Sequence, residues 1–309
     1  MLKSRRNPNT ICSNTHILQI QEFSERGGRM SQELHWKSAP DTRMLTAEDF
    51  APSNETTVYW LGSGGIFINC RGTLLMFDPV LGYKEENPEL SEAGFPYLQP
   101  PPIAPADVPR LDAVIYTHAD YDHMTPGSAL GLVHTGAVYH GTHFVAGYLK
   151  DFGVPEDKIV GHDIHTKFTV GNVEFTLTPA LHQWIHPEGW CYALEDCCGF
   201  ILDTPDGRIW VPGDSTLMDE HLTIKDENID LMFLDISNDP FHFGLDNAIM
   251  LANLVKPADL ILYHYGTYLA PTKKAFCGDP AVLVGRIEDE SRICDLGAGV
   301  PYVLHKKNR

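Results

Sequence analysis

The segment THADYDHMTP, residues 117–126, places four potential metal ligands within six residues: His118, Asp120, Asp122 and His123. It directly follows the apolar run AVIY, which predicts a buried strand. Two carboxylates and two imidazoles at the end of such a strand would leave charge in an apolar setting unless a cation compensates it. The cluster therefore predicts a metal site, and a purely structural role is the weaker interpretation.

Three later apolar runs also end on a residue that can bind metal. His182 lies in ALHQW, Asp214 in VPGDS and His264 in YHYGT. Taken singly, each has an ordinary interpretation as a turn-forming aspartate or a hydrogen-bonding histidine. Strand ends can, however, converge at one edge of a sheet although they are distant in sequence. Seven nitrogen and oxygen ligands without a cysteine predict two divalent metal ions that share a carboxylate and a water.

The four motifs, in this order, resemble those of the metallo-β-lactamase superfamily over residues 58–268. FDPVLG, which contains Asp78, is similar to an earlier strand-end motif of that superfamily. Within the superfamily, residues 100–123 and HYGT most resemble the branch that holds ascorbate-6-phosphate lactonase and the N-acyl phosphatidylethanolamine-hydrolysing phospholipase D.

The resemblance implies an α/β fold, an αββα sandwich of two packed mixed sheets flanked by helices and built from two similar halves, with the site at one edge. It implies that Asp214 bridges the two metals and that Asp78 orients a ligand without binding metal. His242 would face the substrate, although an ordinary loop or capping role is the alternative. The remaining ligands divide into His118, Asp120 and His182 for one metal, and Asp122, His123 and His264 for the other.

Asp120 departs from the family pattern His-x-His-x-Asp-His, which has a second histidine at this position. With two divalent cations, Asp122, Asp214 and a bridging hydroxide, the extra carboxylate makes the formal charge of the centre zero instead of plus one. Such a centre attracts a phosphate dianion less strongly. It also shifts the metal preference from zinc towards manganese or iron, because oxygen ligands suit harder ions.

These residues predict a metal-dependent hydrolase in which a metal-bridging hydroxide attacks an ester, lactone or amide carbonyl of a small molecule. Catalytic roles fall to Asp122, Asp214 and His242, and substrate contacts to His242, Trp184 and His186. Phosphodiester hydrolysis is the alternative within the same fold. A di-iron redox protein and a catalytically silent binding protein are the alternatives from other classes.

The composition is that of a globular protein, with 309 residues, of which 43% are hydrophobic and 21% charged. The net charge of −18 disfavours nucleic acid as a partner, and no apolar run is long enough for a transmembrane segment. Seven cysteines without CxxC spacing are typical of reduced thiols and a cytoplasmic location. The sequence leaves open whether the chain forms a homo-oligomer.

Residues 1–29 lack any core-forming pattern. We interpret them as a tail that is either disordered or upstream of a true start at Met30, and an ordered arm is the alternative. Residues 30–309 are expected to form a single domain. Short strands alternate with turns, and the proline-rich residues 82–110 predict an irregular loop that could act as a lid. Helices are predicted to begin at Thr125 and to cover residues 142–153 and 246–255.

Overall fold

The computed structural model describes residues 36–186, 189–271 and 273–309, so the predicted tail at residues 1–29 lies outside the described part of the chain. The described residues form sixteen strands, three α-helices and eight short 3-10 helices. The strands are β1 Thr56–Gly62, β2 Gly65–Cys70, β3 Thr73–Phe77, β4 Tyr83–Lys84, β5 Asn87–Ser91, β6 Ala113–Ile115, β7 Val138–Thr142, β8 Ile159–His162, β9 Lys167–Val170, β10 Val173–Pro179, β11 Cys198–Thr204, β12 Gly207–Val211, β13 Leu231–Asp235, β14 Asp259–Tyr263, β15 Ile293–Cys294 and β16 Pro301–Val303. The α-helices are α1 Pro126–Gly131, α2 His143–Phe152 and α3 Leu245–Leu254. The 3-10 helices are Ala47–Phe50, Pro105–Asp107, Val133–Thr135, Glu156–Lys158, Asp219–Asp226, Lys274–Phe276, Pro280–Leu283 and Glu290–Arg292.

Two seven-stranded mixed sheets share the same topology. The first has the order β16-β1-β2-β3-β6-β7-β8 and the second the order β15-β14-β13-β12-β11-β10-β9. In each sheet, one half is antiparallel and the other half is a run of parallel strands: β3, β6, β7 and β8 in the first, and β12 to β15 in the second. This pattern confirms the two similar halves that the family resemblance implied.

The sheets pack face to face through aromatic side chains. Phe77 of the first sheet meets Phe175 and Phe200 of the second, with ring centroids 6.2 and 5.7 Å apart. The opposite face of the first sheet is buried under α1 and α2, whereas α3 packs on the second sheet. Because both faces of the central strands are covered, β2, β3 and β13 are buried along their whole length, whereas β10 near the edge of the second sheet alternates. The arrangement confirms the predicted αββα sandwich.

The helix boundaries follow their sequence signals, with one difference in capping. Thr142 begins α2 and accepts a hydrogen bond from the Val145 amide at 3.3 Å, while Gly153 ends it with a left-handed φ of 100°. At α1, by contrast, the Thr125 side chain makes no cap. Glu92 accepts hydrogen bonds from the Thr125 hydroxyl and from the Ser128 amide and hydroxyl instead.

The prediction for residues 82–110 was wrong in part, because β4 and β5 form a two-stranded hairpin there and Pro105–Asp107 forms a 3-10 helix. The prediction of uniformly reduced cysteines also fails. Among the described residues, five cysteines are free, but Cys191 is disulfide-bonded. Within the described residues, no helix combines the length and the hydrophobicity needed to cross a membrane.

Candidate metal centre

The predicted ligands converge at the carboxyl ends of the strands. Asp78 follows β3, His118 follows β6, Asp214 follows β12 and His264 follows β14. Carboxyl ends of parallel strands meet at the same edge of a sheet, and the packed sheets bring their two edges together. All seven predicted ligands are buried. They form two groups in which the ligand atoms lie within 4.8 Å of one another: His118, Asp120 and His182, and Asp122, His123, Asp214 and His264.

Asp214 lies between the two groups. Its Oδ2 atom is 3.1 Å from Nε2 of His123 and 3.3 Å from Nε2 of His264, both in the second group. The same oxygen is 3.8 Å from Nε2 of His118 in the first group. A single carboxylate thus reaches histidines of both groups, which is the geometry that a bridging ligand needs.

The histidine hydrogen bonds determine which ring nitrogen faces the centre. The Thr117 hydroxyl donates to Asp78 at 2.6 Å, so Nδ1 of His118, 2.9 Å from that hydroxyl, must itself be the donor. Nδ1 of His264 donates to the Ala275 carbonyl at 2.9 Å, and Nδ1 of His123 lies 2.9 Å from the Asp78 carboxylate. In neutral rings, every Nε2 therefore carries a lone pair, which is the form that binds metal.

These lone pairs need a cation between them. Nε2 of His123 lies only 3.0 Å from Nε2 of His264, and both face the Asp214 carboxylate. Burial disfavours protonation of either ring, but the negative charges of Asp214 and Asp122 outweigh it and raise the pKa of both histidines well above the ordinary value. Protons or metal ions can satisfy this demand, and metal binding releases such protons.

Two further atoms support the fit of a metal. Nε2 of His118 and Oδ1 of Asp214 are buried and have no hydrogen-bond partner. Buried polar atoms normally have a partner, so two orphaned ligand atoms at one place favour a missing ion. Asp78 lies behind the ligands and holds both Thr117 and His123, as expected of a residue that orients them. The donor set fits two divalent cations, with nitrogen and oxygen ligands only.

His242 contacts the centre directly and is held by Asp235, a residue that sequence reasoning missed. Nε2 of His242 is 3.2 Å from Oδ2 of Asp214, and its Nδ1 is 2.5 Å from Oδ2 of Asp235. Burial lowers the pKa of His242, but the charges of Asp214 and Asp235 outweigh this effect and raise it to about 9. Asp235 ends β13, so the strand-end signal that indicated Asp214 was present for Asp235 as well.

Comparison with known proteins places this chain in a family. The family model described as the Beta-lactamase superfamily domain matches residues 73–265, more than half of the chain. A UPF0173 metal-dependent hydrolase of Deinococcus radiodurans is 30% identical over 202 residues, covering 64% of this chain and 83% of the relative. The chain belongs to the metallo-β-lactamase superfamily, in the UPF0173 family of metal-dependent hydrolases.

Solved structures of the superfamily share the fold. The metallo hydrolase Igni18 of Ignicoccus hospitalis has a TM-score of 0.60 at 18% identity, covering 82% of this chain and 100% of its own. CmlA, a diiron beta-hydroxylase of Streptomyces venezuelae, has a TM-score of 0.59 at 18% identity, covering 82% of this chain and 55% of its own. At these identities the likeness concerns the fold alone.

Asp120, where the superfamily motif has a histidine, is held by a tyrosine. Its Oδ1 accepts a hydrogen bond from the Tyr192 hydroxyl at 2.7 Å and lies 3.3 Å from Nε2 of His186. Its Oδ2 lies 2.9 Å from Nε2 of His182, whose Nδ1 donates to a backbone carbonyl. Burial alone would raise the pKa of Asp120, but interactions with His118 and His182 hold it well below its usual range. Tyr192 thus occupies one oxygen and leaves the other for a metal.

We expect Tyr192→Phe to change the first metal site without unfolding the protein. Loss of the phenol frees Oδ1 of Asp120, so the carboxylate loses the contact that fixes its orientation. Loss of an outer hydrogen bond of this kind typically weakens metal binding by about 10- to 100-fold. Metal titration monitored by mass spectrometry measures the change. Tyr302→Phe, which removes a hydroxyl from Asp259 far from the centre, is the control, and equal metal affinity in both variants would contradict the role of Tyr192.

An open cleft leads to Asp120, Asp122 and Asp214. Trp184 and His242, two of the predicted substrate contacts, line this cleft. His186, the third predicted substrate contact, lies instead beside Asp120 and stacks on Trp190, with ring centroids 3.5 Å apart. The sequence did not indicate the other aromatic wall residues, because they come from separate loops: Phe95, Tyr121, Phe241 and Phe276.

Proposed function

We propose that this protein is a binuclear metal-dependent hydrolase that cleaves an ester, lactone or amide of a small molecule. The observation that carries the proposal is the position of Asp214, whose Oδ2 lies within 3.8 Å of Nε2 of His118, His123 and His264. We infer the predicted division of ligands, with Asp214 as the bridge. When bound, the two metals would supply an activated water and polarise the carbonyl oxygen.

The protein residues contribute orientation and proton transfer. Asp122 lies within 3.4 Å of Nε2 of His264, on the cleft side of the centre, where its carboxylate can orient the attacking water. His242 lines the cleft, and Asp235 fixes its Nδ1 proton so that Nε2 faces the reacting atoms. In its protonated form, His242 would donate a proton from Nε2 to the leaving group.

The substrate class follows from the charge of the centre. Asp120 brings the formal charge of a two-metal centre with hydroxide to zero, which removes the attraction that a phosphodiesterase would use for its anionic substrate. Carbonyl chemistry needs no such attraction. The resemblance to the branch that holds the lactonase and the phospholipase does not decide between these substrate classes by itself. Members of that branch cleave either carbonyl bonds or phosphodiester bonds.

A substrate screen on a protein of known metal content tests the proposal. The purified protein is loaded with zinc, manganese or iron in turn, analysed for metal, and assayed with matched lactones, esters, amides and phosphodiesters. We expect about two metals per chain and turnover of a carbonyl substrate. Turnover of phosphodiesters alone would replace the proposed substrate class. Oxygen consumption without hydrolysis would favour the di-iron alternative.

A further inference from the structure

We propose that Lys273 and Lys274 form an anion subsite in the cleft, so that the substrate carries a carboxylate beside the bond that is cleaved. This inference rests on the proposed function and narrows its substrate class to small carboxylate-bearing esters, lactones or amides. No predicted ligand or catalytic residue lies on this segment.

The two lysines line the same cleft as the metal ligands. Its lining includes Asp120, Asp122 and Asp214 of the candidate metal centre together with Lys273 and Lys274. A substrate that places its carbonyl at the centre can therefore bring a second group to these lysines. Both lysine residues are exposed, so their ammonium groups can meet a ligand from solvent without a large desolvation cost.

The segment that carries the lysines is fixed to a proposed metal ligand. The carbonyl of Ala275, the residue after Lys274, accepts the Nδ1 proton of His264 at 2.9 Å. The buried Phe276 ring stacks on the His264 ring, with centroids 5.7 Å apart and planes 17° apart. Lys274 to Phe276 also form a 3-10 helix. The backbone that carries the lysines is therefore ordered and packs against the candidate metal centre.

The charges around the lysines favour an anionic ligand. The chain has a net charge of −18, yet no described carboxylate lies within an ion-pair distance of 4.0 Å from either ammonium group. Asp239, another carboxylate in the cleft wall, is already an acceptor for the Phe241 amide at 2.8 Å. Because the metal centre itself would be formally neutral, the lysine pair supplies the positive charge that this cleft presents to a ligand.

The cleft also limits the rest of the ligand. Phe95, Trp184 and Phe241 provide apolar walls, with Trp184 and Phe241 in edge contact at 5.6 Å between centroids. Such walls suit a compact apolar or aromatic body between the carboxylate and the reacting carbonyl. A monoanionic carboxylate suits the cleft better than a phosphate dianion, since the metal centre would be formally neutral and Asp239 adds a negative charge to the cleft wall.

A binding experiment tests the subsite without depending on turnover. The metal-loaded full chain is titrated with 3-phenylpropionate, with its neutral amide and with phenyl phosphate, and binding is followed by calorimetry. We expect the carboxylate to bind about two- to fivefold more tightly than the amide, as a solvent-exposed charge contact allows. The double variant Lys273→Gln/Lys274→Gln should lose this difference. Lys225→Gln, an exposed lysine away from the cleft, should keep it.

Kinetics separates this inference from the proposed function. With a neutral aryl ester and its carboxylate-bearing counterpart, the double lysine variant should raise KM about two- to fivefold for the charged ester only, with kcat almost unchanged. Equal binding of carboxylate and amide by the unaltered protein would overturn the subsite. If the double lysine variant still prefers the carboxylate over the amide, the subsite is also overturned. If the unaltered protein prefers phenyl phosphate, the subsite binds phosphate and the proposed carboxylate is wrong. Turnover of neither ester would overturn the proposed function, while the binding result would still decide the subsite.

Discussion

Asp214→Ala is expected to abolish hydrolysis and to lower bound metal while leaving the fold intact. The Asp214 carboxylate lies close to the Nε2 atoms of three histidines. Its removal would take away the proposed ligand that the two metal sites share. We expect kcat/KM to fall by on the order of a thousandfold or more, because both activation of water and polarisation of the carbonyl depend on the metals. Metal analysis and steady-state kinetics on the same preparation measure both effects.

Asp203→Ala is the matched control for this substitution. Asp203 lies on β11 of the same sheet, is exposed, and pairs with Arg208 at 2.9 Å. Its loss removes one carboxylate from the sheet but none from the centre, so metal content and activity should stay normal. Circular dichroism checks that both variants are folded. Full activity in a metal-depleted Asp214→Ala protein would refute the binuclear proposal.

The sequence indicated which residues lie at the candidate metal centre, because their positions depend on local patterns. Each of Asp78, His118, Asp214 and His264 follows an apolar run that reads as a buried strand. Parallel pairing between β3 and β6, and between β12, β13 and β14, then places the ends of those runs on one edge. No single apolar segment of the sequence determines which strands pair or in what order they lie in the sheet. The family resemblance supplied that step.

The contacts that orient the ligands were not predicted, because they join segments far apart in the chain. Tyr192 and Asp120 are separated by 72 positions, and the loop of Tyr192 has no periodic pattern to place it. Glu92 replaces Thr125 as the cap of α1 for the same reason, since its hairpin lies in the proline-rich segment. For Asp235 the strand-end pattern was visible in the sequence. Its contact with His242, which connects it to the candidate centre, depends on the tertiary fold and could not be predicted from that pattern.

The metal selectivity of the centre is expected to depend on Asp120, the residue that departs from the superfamily motif. Asp120→His would replace an oxygen ligand by a nitrogen ligand and make the formal charge of the centre one unit more positive. Zinc should then be favoured over manganese and iron more strongly than in the unaltered protein, because imidazole suits zinc and carboxylate suits harder ions. The Tyr192 hydroxyl would lose its acceptor at the same time, so part of the change reflects that contact.

Asp120→Ala separates metal binding by residue 120 from a purely hydrogen-bonding role. If Asp120 binds metal, the alanine variant leaves only His118, His182 and the shared Asp214 for the first metal, which should then be lost more readily on dialysis. If Asp120 only accepts hydrogen bonds from Tyr192 and approaches His182, the metal content should stay the same. The unaltered protein, both Asp120 variants and Tyr192→Phe are exposed to equal concentrations of zinc, manganese and iron, and their metal-to-protein ratios are measured by mass spectrometry. Tyr192→Phe keeps the carboxylate, so it should retain the first metal better than Asp120→Ala. Unchanged ratios in Asp120→Ala would show that the first metal is held without residue 120, and that the selectivity of the centre comes from its histidines.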